Sequence, residues 1–273
     1  MPAELNTSVP HSARIYDYLL GGKDNFEADR AAAEAVRAQR PNIADQALDN
    51  KKFQTRAVSY AAAQGVAQFL DIGSGLPTSP VRAEGAEPLW RATHEAARAV
   101  IPDAVVAYVD YDPIAVVHSQ ALLGGGSPQV VAVGGDMRDP DAILADPAIR
   151  AAGFSPARPA CVILACILHF LDAPTARGVV HRLVEALAPG SFVAISVGYA
   201  PGHAGDDFAR TYNAQDGPRI YAHSWDQITA LFDGLELLPP GLVDAATWQA
   251  GQAPPGAPSD QASMILAGLG RKP

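Results

Sequence analysis

From residue 66 onward, short apolar runs alternate with segments of helical periodicity. The runs are "QFLDIGSG", "AVVAYVDYDP", "QVVAVGGDMRDP", "ACVILACILHF" and "GSFVAISVGY". Parallel strands need crossover connections, usually helices, and strands buried on both faces are almost continuously apolar. The alternation therefore predicts an α/β fold, with a mostly parallel sheet that carries helices on both faces.

The first part of the chain has a different pattern. "SARIYDYLL" ends at Gly21, "FEADRAAAEAVRAQR" stops before Pro41, and a longer helical stretch ends at Gly65. Glycine and proline are the usual stop signals of helices. We therefore expect an N-terminal helical cap over residues 1–65, followed by the α/β unit over residues 66–273.

Two further apolar runs, "LELLPPGLV" and "SMILAGLG", lie near the C-terminus. The Pro/Gly/Ala-rich stretch between them has no helix large enough for a parallel crossover, so they are predicted to pair antiparallel at the sheet edge. "RAEGAEP" and "GQAPPGAPSD" are interpreted as loops rather than as domain linkers.

Composition excludes several classes of protein. A formal charge of −9 and a pI near 5.1 lack the basic footprint of nucleic-acid binding. The sequence has no apolar run of membrane-spanning length and no signal-peptide layout, so we expect a cytoplasmic protein with a small-molecule partner. The histidines have no metal-ligand spacing, and Cys161 and Cys166 would face opposite sides of a strand, so neither a metal site nor a disulfide is predicted.

Three successive runs end in an acid, namely Asp71, Asp110 and Asp136. Open parallel sheets bind ligands beyond the carboxyl ends of their strands. Gly73 and Gly75 permit a tight turn, and a carboxylate such as Asp110 can accept hydrogen bonds from both hydroxyls of a ribose. The pattern indicates a nucleoside-shaped site, although each aspartate could instead cap the helix that follows it.

Four motifs extend this interpretation: "FLDIGSGLPT", "YVDYDP", "GDMRDP" and "ILACILHFL". In this order they resemble the glycine-rich motif, the ribose-binding acid, the adenine-binding acid and the post-strand-4 motif of class I S-adenosylmethionine-dependent methyltransferases. Together with "ARIYDYLLGGKDNFEADR", they resemble the actinobacterial S-adenosyl methyltransferase family, formerly a domain-of-unknown-function family. The resemblance implies a Rossmann-like class I methyltransferase fold, with a mostly parallel seven-stranded sheet and an antiparallel C-terminal edge strand.

The resemblance also implies a cofactor, S-adenosylmethionine, with S-adenosylhomocysteine as its product. Asp71, Gly73 and Gly75 would surround the methionine moiety, and Asp110 would hold the ribose. The adenine would lie near Tyr111 or Asp112, donate a hydrogen bond from its amino group to Asp136, and pack on Met137. Cys166, Ile167 and His169 would line the floor near the methyl group, with His169 as a candidate general base.

The stretch "LLGGKDNF" stops a helix on two glycines and then places polar residues in the break. A helix C-cap followed by a polar surface turn would explain the glycines alone. Given the family resemblance, we expect a lid over the methyl donor. Tyr18, Gly21 and Gly22 would contact the cofactor, Lys23 and Asn25 would face the substrate, and Asp24 would be a second candidate base. Tyr16 and Tyr18 cannot share a helix face, and Tyr18 is the predicted site residue.

The segment after the fifth run, "GYAPGHAGDDFARTYNAQDGPRIYAHS", is expected to shape the acceptor site. Its Tyr199, Arg210, Tyr212 and Arg219 suggest an acceptor with aromatic or anionic character. The expected function is methyl transfer to a small molecule. Two alternatives stay open at this point: a non-catalytic module that binds the cofactor or its product, and an NAD-dependent oxidoreductase.

Overall fold

The computed structural model describes residues 7–78, 88–123, 126–214, 217–249 and 264–273. Of Met264, only the backbone is described. The predicted loops "RAEGAEP" and "GQAPPGAPSD" lie outside these residues, apart from Pro88.

One sheet forms the centre of the molecule. Its strands in the described part of the chain are β1 Gln68–Ile72, β2 Val105–Asp110, β3 Val130–Gly134, β4 Cys161–Ala165, β5 Phe192–Tyr199, β6 Glu236–Leu237, β7 Val243–Asp244 and β8 Met264–Arg271. The order is β3-β2-β1-β4-β5-β8-β6, with β7 also paired to β8. Strands β1 to β5 are parallel, and β8 runs antiparallel to β5, β6 and β7. The predicted α/β class and the antiparallel C-terminal pairing are confirmed.

The run "LELLPPGLV" forms two short strands rather than one. Pro239 and Pro240 have no backbone N–H to donate to a neighbouring strand, so pairing with β8 stops at Leu237 and resumes at Val243. The described sheet therefore has eight strands where seven were expected.

Helices cover both faces of the sheet. Their bounds are α1 Ser12–Leu19, α2 Glu27–Gln39, α3 Ile43–Ala63, α4 Thr93–Arg98, α5 Pro113–Leu123, α6 Pro140–Ala145, α7 Pro147–Ala151, α8 Ala173–Ala186, α9 Ala204–Asn213 and α10 Trp225–Thr229. Aspartates supply several helix starts: Asp139, Asp146 and Asp172 each accept a hydrogen bond from a backbone N–H of the first turn. The described helices include none long and apolar enough to cross a membrane.

The strands alternate their side chains between two apolar layers. Leu70 and Ile72 of β1 join the layer under α8, and Phe69 joins the layer under α3. In the second layer, Phe53 packs edge-to-face on Trp248 at a centroid distance of 5.2 Å. Both thiols are free, and Cys161 is fully buried among apolar neighbours. Burial on both faces is why the strands are apolar at successive positions.

The N-terminal helices are joined by a buried ion pair. Arg14 Nε of α1 donates to Asp29 Oδ2 of α2 at 2.8 Å, and both side chains are almost fully buried. Helix α3 lies against β4, β5 and β8 and contributes to the core of the sheet. The boundary at residue 65 stays a prediction.

Candidate functional site

A cavity of about 730 Å³ lies over the carboxyl ends of the parallel strands. The strand order reverses between β1 and β4, where an open α/β sheet leaves a crevice for ligands. Residues from α1, the end of α2 and α3 form one wall of this crevice, and α9 with residues 217–223 forms another. The sequence predicted a crevice at the strand ends and expected the segment that contains α9 to shape it.

One part of the cavity is the glycine-turn end, which we define by residues 72–76, Asp110, Tyr111 and residues 135–138. Gly73 and Gly75 have φ angles of 70° and 69°, which a residue with a side chain adopts at a cost. The Gly73 and Ser74 N–H groups both donate to Val109 O, at 2.8 and 3.1 Å. A Cβ at Gly73 would lie 2.4 Å from Ile167 Cγ2, so only glycine fits between this turn and the exit of β4.

Asp110 fixes the glycine turn from the neighbouring strand. Its Oδ2 accepts from Gly75 N at 2.7 Å and its Oδ1 from Asp112 N at 2.8 Å. The carboxylate is 9% exposed, and burial raises its pKa although these two N–H donors oppose the shift. Each carboxylate oxygen has a second lone-pair site, so Asp110 can still accept from a pair of hydroxyls in the cavity.

Some of the residues after β2 and β3 line the cavity, and others cap the helices that follow. Tyr111 lines the cavity mouth and is 70% exposed, whereas buried Asp112 accepts from Ile114 N and lies 3.2 Å from His11 Nδ1. Asp136 and Met137 line the cavity. Arg138 Nε donates to both oxygens of Asp136 at 2.9 Å, and these hydrogen bonds lower the pKa of that carboxyl.

Asp71 does not line the main cavity. Its Oδ2 accepts from Thr93 Oγ1 at 2.6 Å and from Gln54 Nε2 at 2.8 Å, behind the glycine turn. Burial raises its pKa to about 6, although the nearby Lys51 opposes the shift. A smaller cavity of about 180 Å³, bordered by Asp71, Lys51 and Trp90, lies on this side. The expected contact of Asp71 with a methionine ammonium therefore stays a prediction without support from its placement.

The exit of β4 carries an unusual backbone. Cys166 has a φ of 56°, a left-handed conformation that is costly for a residue with a side chain. Its N–H donates to Ser196 O and Oγ, and Ser196 Oγ donates to Asn50 Oδ1 at 2.6 Å. Burial raises the pKa of the Cys166 thiol to about 12, so the sulfur is a thiol near neutral pH. Cys166, Ile167 and His169 all line the cavity, as the sequence predicted they would be grouped.

The two tyrosines of α1 are placed opposite to the expectation. Tyr16 lines the cavity, donates to Ala47 O and accepts from Asn50 Nδ2 at 2.8 Å. Tyr18 faces outward and donates to Glu34 at 2.9 Å. Sequence reasoning chose Tyr18 because it is nearer to the glycines. The buried face of α3 is mostly apolar but includes Asn50, and this polar residue was the available signal for a polar partner such as Tyr16.

The "LLGGKDNF" break does not turn its polar side chains toward the cavity. Gly21, Gly22, Lys23, Asp24 and Asn25 are all absent from its lining. Asn25 Nδ2 and Asp24 N both donate to Asp17 Oδ2, at 2.9 and 3.0 Å. The Asp24 carboxylate faces His118 at 3.9 Å, outside the cavity. These contacts place the break against α1 itself, where Asp24 is not positioned to act on a bound acceptor.

The other part of the cavity is the aromatic end, defined by Arg40, His169, Phe170, Tyr199, Phe208, Tyr212, Tyr221 and His223. Burial, together with nearby His223 and Arg40, lowers the pKa of His169 to about 4. His169 Nδ1 is buried and has no hydrogen-bond partner among the described residues. His223 is 4% exposed, and its Nε2 lies 2.9 Å from Leu171 O. That contact makes Nε2 the protonated nitrogen and Nδ1 the free one.

The sequence predicted only some of the residues that line the aromatic end. Tyr199 and Tyr212 line it, whereas Arg210 and Arg219 are exposed and lie outside the lining. Arg210 is paired with Asp207 on the outer face of α9. Arg40 and His223 were missed because neither lies in a motif. The described residues contain no cluster of side chains suited to a metal ion.

Comparisons with known proteins agree on one family. A sequence model of the S-adenosyl methyltransferase family matches residues 1–273. A crystal structure of a candidate methyltransferase from Thermobifida fusca YX has 37% identity and a TM-score of 0.86, over 99% of this chain and 98% of that one. A DUF574 family protein from Streptomyces avermitilis MA-4680 has 36% identity and a TM-score of 0.84, over 98% and 99%.

More distant similarity concerns the fold alone. An O-methyltransferase family protein from Burkholderia thailandensis has 15% identity and a TM-score of 0.53, over 90% of this chain and 60% of that one. A comparison with curated proteins finds no match.

Proposed function

The chain belongs to the S-adenosyl methyltransferase family, and on that basis we propose that its methyl acceptor is a small molecule bound at the aromatic end. S-adenosylmethionine is the methyl donor of this enzyme. The observation that carries the proposal is the cavity itself. Its volume of about 730 Å³ lies within the range of small-ligand sites, about 300–1,000 Å³, and both ends open into one space.

The glycine-turn end fits the cofactor. The turn at Gly73 presents backbone without side chains, which allows close approach of a ligand. Asp110 keeps free lone pairs for the ribose hydroxyls, and Asp136 and Met137 are available to the adenine. These assignments are proposals that rest on the cavity lining and on the family motifs.

The bound cofactor supplies a methyl group already activated by a positive sulfur, so the chain mainly has to orient the acceptor and exclude water. The hydrogen-bond path from Tyr16 through Asn50 and Ser196 to Cys166 supports this role, because it holds α1, α3 and the β4 exit in one arrangement. Helices α1, α3 and α9 border the cavity beside the strand ends.

His169 is the proposed hydrogen-bond acceptor for the reacting group of the substrate. Its lowered pKa keeps the imidazole neutral near pH 7, so a ring nitrogen can accept a hydrogen bond from an O–H or N–H group of the substrate. A base with a pKa of about 4 holds a proton weakly. We therefore propose that His169 orients the nucleophile and does not ionise it before the methyl group moves.

The test separates small from large acceptors. The protein is incubated with S-adenosylmethionine labelled in its methyl group, once with the small-molecule fraction of a cell extract and once with the macromolecular fraction. We expect labelled product in the small-molecule fraction, inhibited by S-adenosylhomocysteine. Label found only in protein or nucleic acid would overturn the proposal.

A further inference from the structure

Arg40, at the end of α2, pairs with no acid in the described part of the chain. Its Cζ lies 3.8 Å from the ring centroid of Phe208, and the cavity borders its side chain. Within the described residues, no carboxylate lies at ion-pair distance and no group accepts a hydrogen bond from the guanidinium. Arg37, about one turn earlier, is paired with Glu34, and Arg138 at the opposite end of the cavity is held by Asp136. Arg40 is therefore a cation beside the cavity that no described acid neutralises.

This arrangement is unusual because charge inside a protein is normally paired. Arg40 is half-buried, and burial lowers its pKa with no neighbouring acid to oppose the effect. Stacking on Phe208 holds the plane of the guanidinium by cation–π attraction, which leaves its N–H donors unused. Two such donors match the two oxygens of a carboxylate.

Two other polar groups at the aromatic end are neutral near pH 7. Burial keeps His169 unprotonated near pH 7 and raises the pKa of Tyr212 to about 12. Asp172 lies near His223, but its carboxylate is exposed and caps α8 through Thr175 N. Among the described residues that define this end, Arg40 is the only lysine or arginine, and none is an aspartate or glutamate.

We propose that the methyl acceptor carries a carboxylate on a planar apolar body, and that Arg40 binds this carboxylate while His169 faces the reacting atom. The single positive charge matches one negative charge. A phosphate monoester would bring a charge of about −1.5 to −2 and would need further cations. The flat body suits an end that Phe170, Phe208 and Tyr212 border. The inference rests on the proposed function, because it names the substrate class of that site.

The experiment compares acids with their uncharged amides. Binding of benzoate and benzamide, and of indole-3-acetate and indole-3-acetamide, is measured by calorimetry with the wild-type protein saturated with S-adenosylhomocysteine. We expect at least one acid to bind about tenfold or more tightly than its amide, as for a charged hydrogen bond. Arg40→Gln should remove that preference, and Arg40→Lys should restore part of it. Arg37→Gln, the matched control on the same helix, should keep it.

Three results would overturn the inference. The first is that no acid binds the wild-type protein better than its amide, including the case in which no probe binds. The second is a preference that survives Arg40→Gln. The third is a loss of S-adenosylhomocysteine affinity in Arg40→Gln equal to the loss for the acid, because Arg40 would then hold the carboxylate of the cofactor. A wild-type protein without affinity for S-adenosylhomocysteine would instead refute the proposed function, and the acid–amide comparison would be repeated without it.

Discussion

Two glycine-containing turns near the cavity use their polar groups differently. In the turn at residues 20–26, the Asp24 N–H and the Asn25 amide donate to Asp17, which lies seven and eight residues earlier in α1, the helix before the turn. In the turn at residues 72–76, the N–H groups of Gly73 and Gly75 reach Val109 and Asp110 on the neighbouring strand. When the polar groups of a turn bond to the helix that precedes it, the turn packs back against that helix. When a turn is hydrogen-bonded to a neighbouring strand, the side of the turn away from that strand is available to a ligand.

The two turns are also connected. Thr78 Oγ1, just after the second turn, donates to Asp17 Oδ1 at 2.6 Å. A Cβ at Gly75 would lie 4.0 Å from Ala13 Cβ, so the first turn of α1 lies against the glycine turn. The region expected to be a lid is therefore a support: it reaches the site through Tyr16 and Asp17, and not through Lys23 or Asn25.

The largest effect should come from filling the space at the second turn. Gly73→Ala should lower the free energy of unfolding by about 2–4 kcal/mol, because the new methyl group meets Ile167 and the residue has a positive φ. Urea denaturation would measure the loss. The control is Gly178→Ala in α8, where a Cβ has open space, and it should stabilise by about 0.4–1 kcal/mol. Equal stability of Gly73→Ala and wild type would refute the packing described for this turn.

Asp71, which precedes the second turn, should make stability depend on pH. Its pKa is raised by burial to about 6, so the native state binds more protons than the unfolded state between about pH 4 and 6. The contribution of this group to the free energy of unfolding should therefore fall by about 3 kcal/mol as the pH rises through that window. Asp71→Asn should remove about 2 kcal/mol of the change in unfolding free energy between pH 4.5 and 7.5, since this range covers about 1.5 units of the titration. An identical change in both proteins would contradict the raised pKa.

Asp110 tests whether the second turn serves a ligand. Asp110→Ala should weaken binding of S-adenosylhomocysteine by about 1.5–3 kcal/mol, the range for hydrogen bonds to a charged group. Calorimetry would give the affinity. Asp139→Ala, which removes the exposed cap of α6, is the control that should leave the affinity unchanged. Unaltered binding in Asp110→Ala would show that this carboxylate does not hold the ribose.

The smallest effect should come from the first turn. Asp17→Ala should cost about 1–2 kcal/mol of stability, because Asp24 N, Asn25 Nδ2 and Thr78 Oγ1 lose their buried acceptor. Thermal unfolding would detect it. Lys23→Ala, on the exposed part of the same turn, should change stability by less than about 0.5 kcal/mol and leave cofactor affinity intact. A large loss of cofactor affinity in Lys23→Ala would restore the lid hypothesis.

Local patterns were enough to predict the sheet, the antiparallel C-terminal pairing and the glycine turn. The period of apolar residues depends only on the chain itself, and a Gly-Ser-Gly turn after a strand needs no distant partner to be recognised. The same reasoning grouped Asp71, Asp110 and Asp136 near one edge, because parallel strands end on the same side. The position of Cys166 beside them was implied by the family resemblance. These inferences use geometry that neighbouring residues already determine.

The tertiary structure decided which side chains reach the cavity. Tyr16 and not Tyr18 faces it because Asn50 of α3 and, beyond it, Ser196 of β5 supply the polar partners, and residues 50 and 196 are 146 positions apart. Arg40 reaches the aromatic end because Phe208 of α9 packs on it. The sequence by itself determined the strands and turns, since their patterns are local. The partners and orientations of the site side chains depended on packing between segments that are distant in the sequence, and a local pattern of apolar residues carries no information on such packing.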